Sequence, residues 1–326
     1  MLEGLPKEVY WMVLNQVSDR RAFTQLCAVS KTLYELTLPK LYETVVISSE
    51  SEKNLERINT KSFLIGNSTA RLHYTKHVRI SAPFHENLDE RCIHFRDIDD
   101  QIKHNFDEEL EEREAGGRTK FRKLEATTLT FLEQLKDESL KSFSWELGTC
   151  IPREILGSEG YLPCEQTSLE AITLITGIGC PDETDGWNAV DLSQFCALRR
   201  ISWIGMQTDP YLQALRDALQ KNSKHLTHLR LEHVPQDGDS DGSDGSDGSN
   251  DGDEKSGDRR AYCRNLFARE CLGLVQSNAT TEAIFPALTS LSLGSIPLKN
   301  AETALVNALN IRKLSHLTLR QCPSME

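Results

Sequence analysis

The 326-residue chain is 38% hydrophobic and 26% charged, with a formal net charge of −12. This composition is typical of a globular protein of one or two domains. Because no run of eighteen apolar residues occurs, the sequence predicts no membrane-spanning helix. Nine cysteines, an odd number without a CxxC pair, argue against a disulfide framework or a zinc site. We therefore expect a protein of the reducing cytoplasm and/or nucleus, with no structural metal and no cofactor.

Most of the negative charge lies in one low-complexity segment. Residues 237–258 carry nine acidic residues and one lysine, a local charge of −8, which leaves −4 for the rest of the chain. Asp247, Ser249 and Asp251 approximate the start of a calcium-binding loop, but the Asp-Gly-Ser unit repeats out of register around them. We expect a disordered loop over residues 236–258, because this segment has no apolar surface to bury. The remaining charges form no basic stripe, so we do not expect nucleic-acid binding.

Three short helices are predicted at the start of the chain. Apolar side chains recur there at steps of three and four, for example Val9, Met12 and Val13. Pro6 stands where a first helical turn tolerates proline, and the polar run 17–20 ends the pattern. Three helices in about forty residues bury only part of their apolar surface. The surplus either packs against the rest of the chain or binds a partner.

Four segments of this stretch follow one another at fixed spacing. They are Leu5-Pro6-x-Glu8-Val9, Val13-Leu14, Leu26-Cys27-x-Val29-Ser30-Lys31-x-Leu33-Tyr34 and Pro39-x-Leu41-Tyr42. Together they resemble an F-box motif, which departs from the family pattern only at residues 18–21, where a proline and a leucine are more usual. The resemblance implies an F-box domain over residues 1–44 that docks onto the Skp-family adaptor, and through it onto a cullin, in SCF ubiquitin ligases. The implied adaptor-binding residues are Leu5, Pro6, Val9, Val13, Leu26, Val29, Ser30, Leu33, Leu41 and Tyr42.

A six-residue phrase, apolar-x-x-apolar-x-apolar, recurs along the rest of the chain. It begins at Tyr42, Leu140, Leu169, Leu198, Leu226, Leu288 and Leu314, and a shortened form occurs at Val78 and Ile80. From residue 140 to residue 226 the phrases are 29, 29 and 28 residues apart. A steady period in the high twenties indicates a solenoid. We therefore expect one short strand in each phrase.

The repeated phrase resembles a leucine-rich repeat, and Leu317-x-Leu319-x-x-Cys322 adds the asparagine-or-cysteine position of that family. The two resemblances imply an α/β fold in which a three-helix F-box is fused to a leucine-rich-repeat solenoid over residues 45–326. Such a solenoid has a curved parallel sheet with helices on its convex side. Helical patterns at residues 211–223 and 299–309 agree with this arrangement. The alternative is a doubly wound α/β domain, which would not need the same phrase so often.

The sequence also makes predictions for the segments between the phrases and for the junction between the F-box and the first phrase. Between the phrases at residues 78 and 140 we expect a helical insertion over about 98–136, with two helical stretches separated by Gly116-Gly117. After the acidic loop, a helix is expected to resume at Arg259. Because Tyr42 both closes the F-box pattern and opens the first phrase, we expect no flexible linker between the two modules.

No catalytic motif is recognisable: the sequence lacks a GxSxG elbow, a glycine-rich phosphate loop and HExxH. We therefore do not expect an enzyme. The concave face of a solenoid instead displays the side chains between the apolar strand positions. Three arginines there are suited to acidic or phosphorylated groups. The candidate substrate-binding residues are Arg200, Ser202, His228, Arg230, His316, Thr318 and Arg320.

These resemblances imply the substrate-recognition subunit of an SCF-type ubiquitin ligase, with the F-box binding the adaptor and the repeats binding a protein substrate. The alternative is a leucine-rich-repeat scaffold that binds a partner outside any ubiquitin ligase. An enzyme is the weakest of the three hypotheses, since no residue constellation supports it.

Overall fold

The computed structural model describes residues 6–17, 19–49, 55, 57–82, 108–177, 190–206, 209–233, 272, 283–296, 298 and 302–322. They form a helical unit followed by an eight-stranded parallel sheet with helical connections. Leu5, the acidic segment 236–258 and the helix expected from Arg259 lie outside the described residues. Among the described helices, none is both long and apolar enough to cross a membrane.

The helical unit consists of α1 (Lys7–Leu14), α2 (Arg20–Val29) and α3 (Lys31–Glu43). The side chain of Asp19 caps α2 by accepting a hydrogen bond from the backbone N–H of Arg21 at 2.9 Å. The Ser30 hydroxyl caps α3 in the same way, since it accepts from the Leu33 N–H at 3.3 Å. Asp19 thus starts α2, and Ser30, the residue directly after α2, starts α3. The small core between the helices contains Tyr10, Leu14, Phe23, Leu33 and Leu36.

Each of the eight repeated phrases forms a five-residue strand, as predicted. The strands are β1 (Thr44–Ser48), β2 (His77–Ser81), β3 (Ser142–Glu146), β4 (Ala171–Ile175), β5 (Arg200–Ile204), β6 (His228–Glu232), β7 (Ser290–Gly294) and β8 (His316–Arg320). They are all parallel, and their order in the sheet is their order in the chain. This order excludes the doubly wound alternative, in which the strand order reverses in the middle of the sheet.

The register places the apolar positions of successive phrases in two rows on one side of the sheet. One row runs from Val45 to Leu317, and the other from Ile47 to Leu319. The side chains of both rows are buried from β1 to β7 and belong to one continuous core, and Leu317 on the last strand is 54% exposed. The alternate strand residues lie on the other side, which we call the open sheet face.

Helical segments connect most of the strands. They are α4 (Lys61–Leu64), a 3₁₀ helix (Gly66–Tyr74), α5 (Glu108–Leu132), α6 (Arg153–Leu156), α7 (Tyr161–Glu165), α8 (Asp209–Asn222) and α9 (Glu302–Ala308). The helices predicted at residues 211–223 and 299–309 correspond to α8 and α9. The two helical stretches expected around Gly116-Gly117 are instead one helix, α5. Each glycine costs only about 1 kcal/mol relative to alanine in a helix, and the buried side chains of Phe121, Leu124, Phe131 and Leu132 hold α5 against the sheet core.

Two buried side-chain amides brace successive repeats. Gln166 Oε1 accepts a hydrogen bond from the Leu140 N–H at 3.0 Å, and Gln166 Nε2 donates to the Lys136 carbonyl at 3.0 Å. In the same manner Asn222 Oδ1 accepts from the Leu198 N–H at 2.9 Å. In both cases the amide satisfies the N–H of the first leucine of the preceding phrase. These contacts tie the repeats that contain β4 and β6 to the repeats before them.

The helical unit joins the sheet directly, because α3 ends at Glu43 and β1 begins at Thr44. The Arg71 guanidinium donates to the Tyr42 hydroxyl at 3.2 Å and lies 5.9 Å and 5.7 Å from the ring centroids of Tyr34 and Tyr42. The Thr75 hydroxyl also donates to the Tyr42 carbonyl at 3.0 Å. These contacts link α3 to the segment before β2. No linker separates the two units, as the shared Tyr42 predicted.

Candidate functional site

One side of α1 carries apolar side chains that the described residues leave exposed. Val9, Met12 and Val13 lie three and four positions apart, and they are 36%, 69% and 56% exposed. Tyr10 and Leu14, on the inward side of the same helix, are buried in the helical core. We call Val9, Met12 and Val13 the apolar helical face. Apolar side chains clustered on an exposed helix face are typical of a surface that binds a partner.

Two more residues of the predicted adaptor-binding set are exposed, and one exposed residue of this surface was not predicted. Val29, at the end of α2, is 68% exposed, and Pro6 is exposed before α1. Met12 is missing from the predicted set, because the family resemblance points to Val9 and Val13 and not to the residue between them. The spacing of three residues from Val9 to Met12 places both side chains on the same side of the helix, and this spacing is the sequence signal for Met12.

The other predicted adaptor-binding residues have roles inside the molecule. Leu33 is buried in the helical core, so its side chain is not available to a partner. Leu26 and Leu41 are partly buried against the same core. Ser30 caps α3, and Tyr42 accepts the hydrogen bond from Arg71 described above. These five residues stabilise the helices and their junction with the sheet.

The open sheet face brings all seven predicted substrate-binding residues together. They lie on β5, β6 and β8, and β7 lies between β6 and β8. The register of these four strands places the residues of the face in three rows. The first row is Arg200, His228, Ser290 and His316, the second is Ser202, Arg230, Ser292 and Thr318, and the third is Ile204, Glu232, Gly294 and Arg320. We call this four-strand part of the open sheet face the basic sheet face. Its hydroxyl groups and arginines lie on adjacent strands about 4.8 Å apart.

The basic sheet face has an excess of positive charge. Its three arginines, Arg200, Arg230 and Arg320, are accompanied by a single carboxylate, Glu232, which gives a charge of +2 with neutral histidines. Glu232 Oε2 lies 3.3 Å from Arg230 Nη2 and 2.8 Å from Arg320 Nη2. Within the part of the chain that the structure describes, Arg200 forms no ion pair. Its exposed guanidinium is therefore suited to an anion from outside the chain.

His228 lies beside this arginine on the next strand. Burial lowers the pKa of His228 below its ordinary value, and electrostatic interactions with Arg200 and with the neighbouring His316 lower it further. Its Nδ1 atom lies 2.9 Å from the Thr227 hydroxyl oxygen. The neutral imidazole offers a hydrogen bond without adding charge, and a bound anion would raise its pKa.

The other half of the open sheet face is balanced in charge. Glu146 on β3 accepts a hydrogen bond from Arg79 Nε on β2 at 2.9 Å. Next to this pair, His77 Nδ1 lies 2.8 Å from the Ser142 hydroxyl oxygen. Burial lowers the pKa of His77 below its ordinary value. The excess positive charge is thus confined to β5–β8.

Other side-chain groupings in the described residues do not suggest metal chemistry, since no three His, Cys, Asp or Glu side chains are placed to hold a metal ion there. Comparison with known proteins gives no further assignment: no family model matches the chain, and no curated protein matches it. Two surfaces of the described residues are suited to binding, the apolar helical face and the basic sheet face.

Proposed function

We propose that this chain is the substrate-recognition subunit of an SCF-type ubiquitin ligase. In this proposal the three helices are an F-box that docks onto a Skp-family adaptor, and the sheet with its connections is a leucine-rich-repeat solenoid that holds a protein substrate. The observation that carries the proposal is the exposure of Val9, Met12 and Val13 on one side of α1, within a stretch that resembles an F-box in order and spacing.

The sequential parallel sheet supports the repeat half of the proposal. Phrases spaced 28 or 29 residues apart from residue 140 to residue 226 become neighbouring strands in register, as in solenoid proteins. The basic sheet face then recognises an acidic or phosphorylated segment of the substrate, through Arg200 and the arginines that share Glu232.

The proposed mechanism is proximity. The adaptor and its cullin hold a ubiquitin-conjugating enzyme, and the bound substrate presents a lysine at high effective concentration. No catalytic group of this chain is required. A complex of this kind acts in the reducing cytoplasm and/or nucleus, which agrees with the cysteine content of the sequence.

Titration of the chain with a purified Skp-family adaptor tests the docking step. We expect a one-to-one complex that the double substitution Met12→Asp and Val13→Asp weakens at least about 100-fold, because it places two charges in an apolar interface. The matched control is Ile311→Asp, since Ile311 is also exposed, at 61%, but lies outside the helical unit. Equal affinity of the wild type and the double variant would rule out docking through α1.

Ubiquitin transfer separates this function from the alternative, a repeat scaffold outside any ligase. With the adaptor, cullin and conjugating enzyme present, a substrate recovered with this chain should become ubiquitinated only when the chain is added. If the substrate is ubiquitinated to the same extent with and without the chain, the result would favour the scaffold.

A further inference from the structure

A pocket of about 540 Å³ lies where the helical unit meets the start of the sheet. Trp11 on α1, Lys40 and Glu43 on α3, Tyr74 at the end of the 3₁₀ helix and Lys136 before β3 contribute to its lining. A volume of this size falls within the range of about 300–1,000 Å³ that is typical of small-molecule sites. The pocket shares no residue with the apolar helical face or the basic sheet face.

The charged groups of this junction pocket are mainly cationic. Lys40, Lys76 and Lys136 line it together with a single carboxylate, Glu43, which gives a charge of +2. Glu43 Oε2 lies 2.7 Å from Lys40 Nζ, and Glu43 Oε1 lies 3.0 Å from Lys76 Nζ. Burial opposes ionisation of Glu43, but the hydrogen bonds from both lysines lower its pKa overall. The carboxylate therefore stays ionised and holds two of the ammonium groups in place.

Lys136 is the third lysine of the pocket, and Glu43 does not pair with it. It is exposed, and within the described residues its ammonium group forms no ion pair. The carboxylate that positions Lys40 and Lys76 is already shared, so neither is fully neutralised. Three ammonium groups around one cavity attract a ligand with more than one negative charge.

The rest of the lining is aromatic and polar. Trp11 and Tyr74 are both partly buried, and the Tyr74 ring contacts the His73 ring with centroids 3.7 Å apart. Asn15 adds a hydrogen-bonding side chain, and the hydroxyl of Ser139, which also lines the pocket, donates to the Lys136 carbonyl at 2.6 Å. Aromatic side chains beside cations are suited to a ligand that combines a planar ring with anionic groups.

We propose that the junction pocket binds a small organic polyphosphate, with phosphate groups on Lys40, Lys76 and Lys136 and a planar ring against Trp11 and Tyr74. The site is independent of the proposed adaptor docking. Around α1, Trp11 is turned about 200° from Val9 and Val13 and about 100° from Met12, and none of these three residues lines the pocket. A ligand there would contact the helical unit and the sheet together, and it would stabilise the folded chain by mass action.

Calorimetric titration of the complete chain with ADP, pyrophosphate and adenosine tests this assignment. We expect ADP to bind more tightly than pyrophosphate, which lacks the ring, and than adenosine, which lacks the charges. Lys136→Glu should weaken ADP binding at least about tenfold, because one attractive charge becomes repulsive. Lys224→Glu is the matched control: Lys224 is exposed before β6, outside the pocket, and we expect this variant to bind ADP as the wild type does.

Three results would overturn the proposal. The first is no heat with either ADP or pyrophosphate at millimolar concentration. The second is an equal loss of affinity in the Lys136 and Lys224 variants, which would mean that only the overall charge matters. The third is pyrophosphate binding as tightly as ADP, since the aromatic side chains would then contribute nothing. Circular dichroism of both variants establishes that they fold, and the adaptor is absent from the assay, so its result does not depend on the proposed docking.

Discussion

Glu232 controls the charge of the basic sheet face, so its replacement by glutamine should strengthen anion binding. The carboxylate of Glu232 holds Arg230 at 3.3 Å and Arg320 at 2.8 Å. Glu232→Gln keeps the shape of the side chain, releases both guanidinium groups and raises the charge of the face from +2 to +3. Partly exposed ion pairs are each worth about 0.2–1 kcal/mol. Two released arginines therefore predict a gain of about 0.4–2 kcal/mol, or about 2- to 30-fold in affinity.

Fluorescence anisotropy with a labelled, doubly phosphorylated peptide measures this effect at physiological salt. Glu146→Gln is the matched control, because it removes the same charge from the same face but lies on β3, paired with Arg79. Three strand spacings separate β3 from β6, about 14 Å, which exceeds the Debye length of about 8 Å. We expect the control to change the affinity less than about twofold. An equal gain in both variants, or no gain for Glu232→Gln, would refute the assignment of the anion site to β5–β8.

Three further predictions concern stability. Asn222→Ala should lower the free energy of unfolding by about 1–3 kcal/mol, because it leaves the buried N–H of Leu198 unsatisfied. Urea unfolding measures this loss, and the exposed Asn307→Ala is the control, for which we expect a change near zero. Gly205→Ala should cost at least about 2 kcal/mol in the same assay, since φ is +88° and an added Cβ would overlap the carbonyl oxygen of Thr176. Burial, and then the charge of Glu154, raises the pKa of Glu125 from 4.5 to about 7. The folded state therefore favours the protonated Glu125 carboxyl, a contribution to stability that is fully present below about pH 4.5 and is lost as the pH rises through about 7. The melting temperature of Glu125→Gln should therefore fall less between pH 5 and pH 8 than that of the wild type, and parallel profiles would contradict the raised pKa.

The strands were predictable because their side-chain pattern is local. In a strand, every second residue faces the core, so the phrase apolar-x-apolar fixes both the strand and its buried side. That single rule placed Arg200, Arg230 and Arg320 on the same face before any pairing was known. The regular spacing of the phrases then predicted that neighbouring phrases become neighbouring strands.

Features that depend on distant residues were not predictable. Glu232 and Arg320 are 88 positions apart, and no local pattern indicates that one carboxylate holds two arginines. The burial of Leu33 and the exposure of Val29 follow from how three helices pack, because each helix alone has apolar side chains on more than one side. The junction pocket could not be predicted for the same reason, because its lining residues come from positions as far apart in the sequence as Trp11 and Ser139.

Affinity purification of the complete chain and of its Met12→Asp/Val13→Asp variant, followed by identification of the bound proteins, tests the proposed role most directly. The wild type should recover a Skp-family adaptor and a cullin together with substrates. The variant should lose the adaptor and the cullin but keep the substrates, because the basic sheet face is unchanged. Recovery of the adaptor with both proteins, or with neither, would contradict docking through the apolar helical face.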